Sequence, residues 1–117
     1  MRITRRYTRA GTSPYDGIAF RAITSEIKNP DGSVVFAQSD VKIPASWTQV
    51  ACDVLAQKYF RKAGVPAKLK AVKESDVPKF LWRKEPDHKA LKRLKPTDRF
   101  GGETDARQVF DRLAGTW

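Results

Sequence analysis

The stretch that decides the fold reads Pro44-Ala-Ser-Trp-Thr-Gln-Val-Ala-Cys-Asp-Val-Leu-Ala-Gln-Lys-Tyr-Phe-Arg-Lys-Ala-Gly64. Its apolar residues recur at i, i+3, i+4, i+7 and i+8, the spacing of one face of an α-helix. They are Trp47, Val50, Ala51, Val54 and Leu55. We therefore predict a helix over 45–64 whose apolar stripe packs against another part of the chain.

Signals at both ends of this stretch agree with a helix. Ser46 is a candidate N-cap because its hydroxyl can accept a hydrogen bond from an unpaired backbone N–H of the first turn. Arg61 and Lys62 are expected in the last turn, where cations complement the negative end of the helix dipole. Gly64 suits a left-handed C-terminal cap, and Pro66 prevents the helix from resuming.

Upstream, residues 18–27 and 33–43 are rich in β-branched and aromatic side chains. Between them Asn29-Pro30-Asp31-Gly32 is a strong turn signal, because proline fixes φ while aspartate and glycine tolerate tight or left-handed conformations. The pattern predicts a β-hairpin over 18–43. Its apolar residues change face after Phe20, which suggests a bulge near Ala22. The apolar face of the hairpin is the predicted partner of the helix stripe.

The chain begins with a basic segment. Residues 1–17 contain Arg2, Arg5, Arg6 and Arg9 with no acidic residue before Asp16. We interpret them as an irregular basic arm that needs a surface to lie on. A disordered basic tail is the alternative.

A second basic segment spans 65–102 and is interrupted by prolines. We expect it to be extended, with Phe80, Leu81 and Trp82 as apolar anchors and a helical turn beginning near Asp87. Its charge fits a strip that binds a polyanion, and a solvated linker is the alternative.

A second amphipathic helix is predicted over 103–114. Thr104 is its candidate cap, and its apolar face comprises Ala106, Val109, Phe110 and Leu113. The sequence then reads Gly115-Thr116-Trp117, which we interpret as a cut inside a longer protein. The predicted fold class is α+β, a hairpin followed by two amphipathic helices joined by the basic, proline-rich segment.

Composition limits the possible functions. The 117 residues carry a net charge of +10 and are 40% hydrophobic, which suits one small domain. The excess positive charge suggests a polyanionic partner, or a larger assembly that supplies balancing acid. One cysteine excludes an internal disulfide and fits a reducing, cytoplasmic compartment. No apolar run approaches the roughly 20 residues of a membrane span, and no signal peptide is expected.

Catalytic and metal-binding constellations are sparse. Cys52 and His88 are the only residues of their types. Cys52 flanks the apolar stripe, where a thiol usually packs inertly, and a zinc site needs more histidine and cysteine than the chain has. Gly101-Gly102 is a weak signal for phosphate binding. We therefore predict no catalytic, cofactor-binding or metal-binding residue in this chain.

The charged residues admit simpler explanations. The pairs Glu74/Asp76 and Glu103/Asp105 fit solubility and helix capping. Lys58 falls inside the predicted apolar stripe, where its stem can snorkel past Leu55 or its ammonium can reach an acidic group or a phosphate in a neighbouring segment.

Four stretches match a known family in order and spacing. They are Arg5-Arg6-Tyr7-Thr8 with Gly11-Thr12-Ser13-Pro14-Tyr15, then Ser25 to Phe36, Val54 to Pro66 and Glu103 to Trp117. Together they resemble the N-terminal region of bacterial class II ribonucleotide reductases, which depend on adenosylcobalamin. The resemblance covers essentially the whole chain.

The resemblance implies a function for the complete enzyme. Such enzymes reduce ribonucleotides to 2′-deoxyribonucleotides for DNA synthesis through a cysteine thiyl radical generated with adenosylcobalamin. A cysteine pair supplies the electrons and is re-reduced by a thioredoxin-type partner. The chemistry takes place in an α/β barrel that follows the region seen here, and a homodimer is one arrangement the resemblance allows.

This chain departs from a complete enzyme, because the implied mechanism needs at least three cysteines and Cys52 matches none of the catalytic motifs. The implied role of residues 1–117 is structural, leading into the barrel and packing on it. The competing hypothesis is an independent basic module that binds nucleic acid. A remnant that never folds is the third.

Overall fold

A computed structural model describes residues 4–117, and its architecture is α+β as predicted. The strands are β1 (Phe20–Lys28), β2 (Val34–Pro44), β3 (Val65–Pro66), β4 (Leu69–Ala71), β5 (Lys84–Pro86) and β6 (Phe100–Gly101). The α-helices are α1 (Gln49–Val54), α2 (His88–Lys92) and α3 (Ala106–Thr116). A π-helical turn covers Leu55–Tyr59, and 3₁₀ turns cover Lys79–Leu81 and Pro96–Asp98. Arg2, a member of the predicted basic arm, lies outside the described residues.

The predicted β-hairpin is confirmed, with β1 and β2 paired antiparallel. Its turn is closed by hydrogen bonds from Asn29 N to the Ser33 carbonyl (2.7 Å) and from Gly32 N to the Asn29 carbonyl (2.9 Å). Gly32 has a φ of +88°, in the left-handed region that glycine enters without steric cost. The local turn chemistry therefore sets the register of the hairpin.

The predicted bulge near Ala22 is present, and the extra residue lies on the partner strand. The register shifts after Ile23, which pairs with Val41, whereas Ser25 pairs with Gln38. The extra residue is on β2, where Asp40 adopts a φ of +54°. Aspartate is among the few non-glycine residues that tolerate this region. Because side chains alternate between the two faces of a strand, residues three apart normally lie on opposite faces. The bulge places Gln38 and Val41 on the same inner face.

The main helix begins later than predicted. Its N-cap is Thr48 and not Ser46, with the Thr48 hydroxyl accepting a hydrogen bond from Ala51 N at 3.2 Å. Pro44 is still the last residue of β2, and Trp47 N donates to the Pro44 carbonyl at 3.0 Å. This tight turn occupies the residues that the prediction placed in the first helical turn.

The helix also ends earlier than predicted. It widens into the π-helical turn and stops at Phe60, whose backbone is extended. Gly64 does have the predicted left-handed φ, +76°, but it follows the helix end instead of capping it. Lys62 is not in a last turn, because the helical segment ends at Tyr59. Its ammonium reaches back and donates to the Ala56 carbonyl. That contact satisfies a backbone acceptor near the end of the helix.

The buried face of the main helix differs from the predicted stripe. Val50 is 72% exposed and Val54 is 48% exposed. The residues that enter the core are Cys52, Leu55, Ala56 and Phe60, of which only Leu55 belongs to the predicted stripe. Their i, i+3, i+4, i+8 spacing also satisfies the helical period, so the periodicity alone did not distinguish the two faces.

One core joins the hairpin, the main helix and α3. Its buried members are Ile23, Val41, Ile43, Cys52, Leu55, Ala56, Phe60, Ala106 and Val109. Trp47 and Phe110 pack against its edge, with ring centroids 5.8 Å apart in an edge-to-face arrangement. The hairpin is thus the partner of the main helix, as predicted.

The basic segment contains more structure than the sequence indicated. β4 pairs with β5 and β3 pairs with β6, both antiparallel. The predicted helical turn near Asp87 is confirmed, because the Asp87 carboxylate caps α2 by accepting from Ala90 N at 3.2 Å. Leu91 of this helix is buried. The expected extended segment is therefore a chain of short elements.

The second helix, α3, is capped by Asp105 and not by Thr104. The Asp105 carboxylate accepts from Arg107 N at 2.9 Å, and the Gln108 side chain accepts from Asp105 N at 3.0 Å, completing a capping box. Ala106, Val109 and Phe110 form its inward face as predicted, whereas Leu113 is 43% exposed.

Candidate interaction groove

A groove lies between the basic segment and α3. It has a volume of about 560 Å³ and is only partly enclosed. Its apolar lining comprises Val65, Pro66, Leu69, Phe80, Leu81, Trp82 and Pro86. The C-terminal half of α3 contributes Asp111, Arg112 and Gly115 to the opposite wall. Volumes of this size are common in binding sites.

The aromatic floor of the groove is held in place by local hydrogen bonds. The indole N–H of Trp82 donates to the Val77 carbonyl at 2.9 Å. The backbone N–H of Trp82 donates to the Lys79 carbonyl at 3.2 Å, which closes the 3₁₀ turn. Because both N–H groups of Trp82 are satisfied, its ring can present an apolar surface without losing a hydrogen bond.

Glu103 is the best-buried carboxylate in the groove, with 4% of its surface exposed. Its Oε1 accepts from Arg61 N at 2.8 Å and from the Arg112 guanidinium at 3.0 Å. The same Arg112 donates to the Tyr59 carbonyl at 3.0 Å. This buried pair ties the end of the main helix to α3. The sequence prediction of capping or solubility misses this role, because Arg61 is 42 residues away and the spacing of nine residues to Arg112 is not a helical contact distance.

Tyr15 attaches the basic arm to α3. Its hydroxyl donates to Asp111 Oδ1 at 2.7 Å, and its ring packs edge-on against Phe20 with centroids 6.0 Å apart. Burial, and then the hydrogen bond to Asp111, raise the pKa of Tyr15 well above its ordinary value. The phenol therefore stays protonated and keeps donating across the physiological range. The expectation that the arm lies on a surface holds at this residue.

The cations of the groove are less completely paired than its acids. Arg83 pairs with Glu74 at 3.6 Å in a solvent-exposed contact. Within the described part of the chain, neither the Arg61 guanidinium nor the Lys84 ammonium forms an ion pair. Glu103 is paired with Arg112, while Asp111 accepts the Tyr15 hydrogen bond and keeps its negative charge, which leaves four cations against two carboxylates in the lining. The groove thus combines an apolar floor with a positive rim.

The two candidates for cysteine–histidine chemistry occupy different environments. Cys52 is fully buried in the core, where burial raises the pKa of its thiol and favours the unreactive protonated form. His88 is an exposed residue at the start of α2. Among residues 4–117 no cluster of three or more His, Cys, Asp or Glu side chains could hold a metal ion.

Lys58, which the sequence placed inside the apolar stripe, is exposed on the π-helical turn. Lys62 is the lysine with an unusual environment. Its ammonium lies 4.4 Å from the centre of the Phe36 ring and donates to the Ala56 carbonyl, and burial lowers its pKa. No helix within residues 4–117 has the length and apolar character needed to cross a membrane.

Comparison with known proteins places these features in a family. A family model described as class II vitamin B12-dependent ribonucleotide reductase matches residues 21–117. The vitamin B12-dependent ribonucleotide reductase of Agrobacterium fabrum is 67% identical over the whole chain, which covers 9% of that relative. The Bradyrhizobium diazoefficiens protein of the same name is 62% identical over the same share of each chain.

A more distant relative matches in part. The vitamin B12-dependent ribonucleotide reductase of Streptomyces coelicolor is 36% identical over 76 residues, 63% of this chain and 8% of the relative. The chain thus spans about 9% of the length of the curated relatives it matches throughout. From these matches the chain belongs to the class II vitamin B12-dependent ribonucleotide reductase family and corresponds to its N-terminal region.

Proposed function

We propose that this chain is the N-terminal, structural portion of an adenosylcobalamin-dependent ribonucleoside-diphosphate reductase that makes 2′-deoxyribonucleotides for DNA synthesis. The observation that supports the proposal is 67% identity over all 117 residues to a vitamin B12-dependent ribonucleotide reductase. The whole protein then includes a catalytic α/β barrel, a thioredoxin-type reductant as partner, and nucleotides as substrates. It acts in the cytoplasm, as a homodimer in one arrangement.

The proposed division of this portion follows the sequence. Residues 1–17 form a basic arm, 18–43 the hairpin, and 45–64 the segment of the main helix. Residues 65–102 form the basic segment, and 103–114 form the helix that enters the barrel. The shared core of the hairpin, the main helix and α3 supports treating these three segments as one unit.

We propose that cobalamin binds outside the described residues. The groove of about 560 Å³ matches a drug-sized ligand, and a corrin ring with its nucleotide loop is much larger. His88, the one imidazole that could act as an axial ligand, does not line the groove. We therefore assign cofactor binding to the remainder of the reductase and derive no chemical step through it.

An activity measurement tests this proposal. The full-length protein, supplied with adenosylcobalamin and a dithiol reductant, is expected to reduce ribonucleoside diphosphates, and the 117-residue chain alone is expected to be inactive. Ribonucleoside triphosphates are assayed in parallel to identify the substrate class. Activity of the short chain alone, or none from the full-length protein with its cofactor, would contradict the proposal.

Cys52 provides a sharper test of the structural role. In the full-length enzyme, Cys52→Ala should retain activity within a few-fold of the parent, because the thiol is fully buried in the core and held protonated. Thermal unfolding of the variant reports any loss of packing separately. Complete loss of turnover in a variant that unfolds at the parental temperature would make Cys52 catalytic.

A nucleic-acid-binding module is the second candidate function. The observation that favours it is the basic arm, in which Arg5, Arg6 and Arg9 are exposed and Tyr7 is 92% exposed. Such a module should shift a labelled oligonucleotide at about 50 mM salt and release it toward about 200 mM, because phosphate neutralisation dominates the affinity. Absence of a shift at the lower salt concentration would exclude this function.

A further inference from the structure

The groove between the basic segment and α3 has the composition of a docking site. Large apolar groups line its floor, among them Leu69, Leu81 and Trp82. Trp82 is fixed there by hydrogen bonds to Val77 and Lys79. A floor that is already ordered spends little conformational entropy on binding a partner.

The charge of the rim indicates the chemistry of the occupant. The lining carries four cations, Arg61, Arg83, Lys84 and Arg112, against the two carboxylates of Glu103 and Asp111. Arg61 and Lys84 form no ion pair among the described residues. The rim therefore offers unneutralised positive charge beside an apolar floor. An occupant that is apolar in its centre and acidic at its flanks complements both features.

The openness of the groove favours a polypeptide over a small molecule. Small-molecule sites usually enclose most of their ligand, whereas this groove is only partly enclosed. An extended or helical segment can fill such a groove while its remaining face packs on other protein.

We propose that the groove binds an apolar, acid-flanked segment of the reductase polypeptide outside residues 1–117. The inference rests on the proposed function, in which this chain is a small part of a larger molecule. The chain spans 9% of its matched relatives and has a net charge of +10, so the remaining polypeptide is the nearest source of balancing acid. Covalent linkage would also give that segment a high effective concentration at the groove.

Hydrogen–deuterium exchange of the full-length enzyme tests this inference. We compare the parent with the double variant Arg61→Glu/Lys84→Glu, which reverses the rim charge at two exposed positions and leaves the apolar floor intact. Peptides covering 79–86 should exchange about tenfold faster in the variant, because like charges placed opposite each other weaken docking. The matched control Lys89→Glu, an exposed residue of α2 that does not line the groove, should exchange like the parent.

Two outcomes would overturn the inference. In one, peptides 79–86 exchange equally in the parent and the double variant. In the other, protection of 79–86 is absent in phosphate-free buffer and appears on adding inorganic pyrophosphate, which would assign the groove to a small anion. Ribonucleotide reduction is measured on the same preparations, so an active enzyme with unchanged exchange refutes the docking while leaving the proposed function intact.

Discussion

At the scale of single residues, Glu103 and Asp105 show how neighbouring carboxylates acquire different roles. Both were expected to cap a helix or solubilise the surface. Asp105 does cap α3, and the nearby Gln108 is a local signal that a capping box predicts. Glu103 instead is buried against Arg61 and Arg112. Nothing near Glu103 in the sequence identifies those partners, because the fold brings them together.

Glu103→Gln should destabilise the chain by about 1–3 kcal/mol, because the buried guanidinium of Arg112 loses its charged acceptor. The glutamine oxygen can still accept from Arg61 N, so the change isolates the ionic contribution. Glu85→Gln is the matched control, since Glu85 pairs with Lys70 at 3.3 Å on the exposed surface and should lose less than about 1 kcal/mol. Equal losses of unfolding free energy in the two variants, measured by urea denaturation, would show that the buried pair contributes no more to stability than the surface pair.

Asp105 should make stability depend on pH in the acid range. Burial acts to raise its pKa, but hydrogen bonds from Arg107 outweigh burial and hold the pKa below its ordinary value. A lowered pKa in the folded state stabilises the fold above the unfolded value of about 3.9, and this contribution is lost as pH falls through the folded pKa.

Asp105→Asn isolates this effect, because asparagine can still cap the helix but cannot ionise. The free energy of unfolding of the parent should exceed that of the variant at neutral pH, and the difference should shrink as pH falls below about 3.9. A difference that stays constant from neutral pH to pH values below that range would show that the Asp105 charge is not responsible.

At the scale of elements, local signals located the hairpin turn, the start of α2 and the inward residues of α3. The predicted length of the main helix was wrong, and its predicted buried face was right at Leu55 but wrong at Val50 and Val54, because tertiary contacts decide both. The stripe containing Val50 and the set containing Phe60 have equivalent helical spacing, and only contact with the hairpin and α3 selects between them. The π-helical turn likewise ends where Lys62 and Arg112 satisfy backbone carbonyls, a contact that no local pattern predicts.

Phe60→Ala should cost about 3–5 kcal/mol, because Phe60 is 4% exposed and its loss leaves a cavity in the core. Val50→Ala should change the stability of the 117-residue chain by no more than about 0.5 kcal/mol, as expected for a surface substitution. Chemical unfolding of both variants reports the comparison. A larger loss for Val50→Ala than for Phe60→Ala would restore the original assignment of the buried face.

Gly32→Val should destabilise the hairpin by about 1–3 kcal/mol, because a β-branched residue is strained at positive φ. Space is not the limitation, since a Cβ at Gly32 would meet nothing within 4 Å. Gly17→Val, at a similarly open position without a positive φ, is the control and should be nearly neutral. Equal thermal unfolding temperatures for the two variants would argue against the turn conformation.

At the scale of the whole molecule, the chain combines a small shared core with an excess of positive charge and exposed apolar groups. Val50, Val54, Tyr59 and Leu113 remain exposed on the main helix and α3. The composition indicated a larger, charge-balanced assembly as one explanation of the excess positive charge. The family relationship supports that explanation over an isolated domain. The position of the groove could not be predicted, because it depends on how the basic segment folds against α3.

The intact mass of the polypeptide that carries this sequence in its source cells tests the central claim most directly. An antibody raised against the hairpin and main helix would isolate the polypeptide for mass spectrometry. We expect one product far above the 13.2 kDa of these 117 residues, since the chain spans 9% of its matched relatives. A product of 13.2 kDa alone would contradict the assignment of this chain as the N-terminal portion of a reductase.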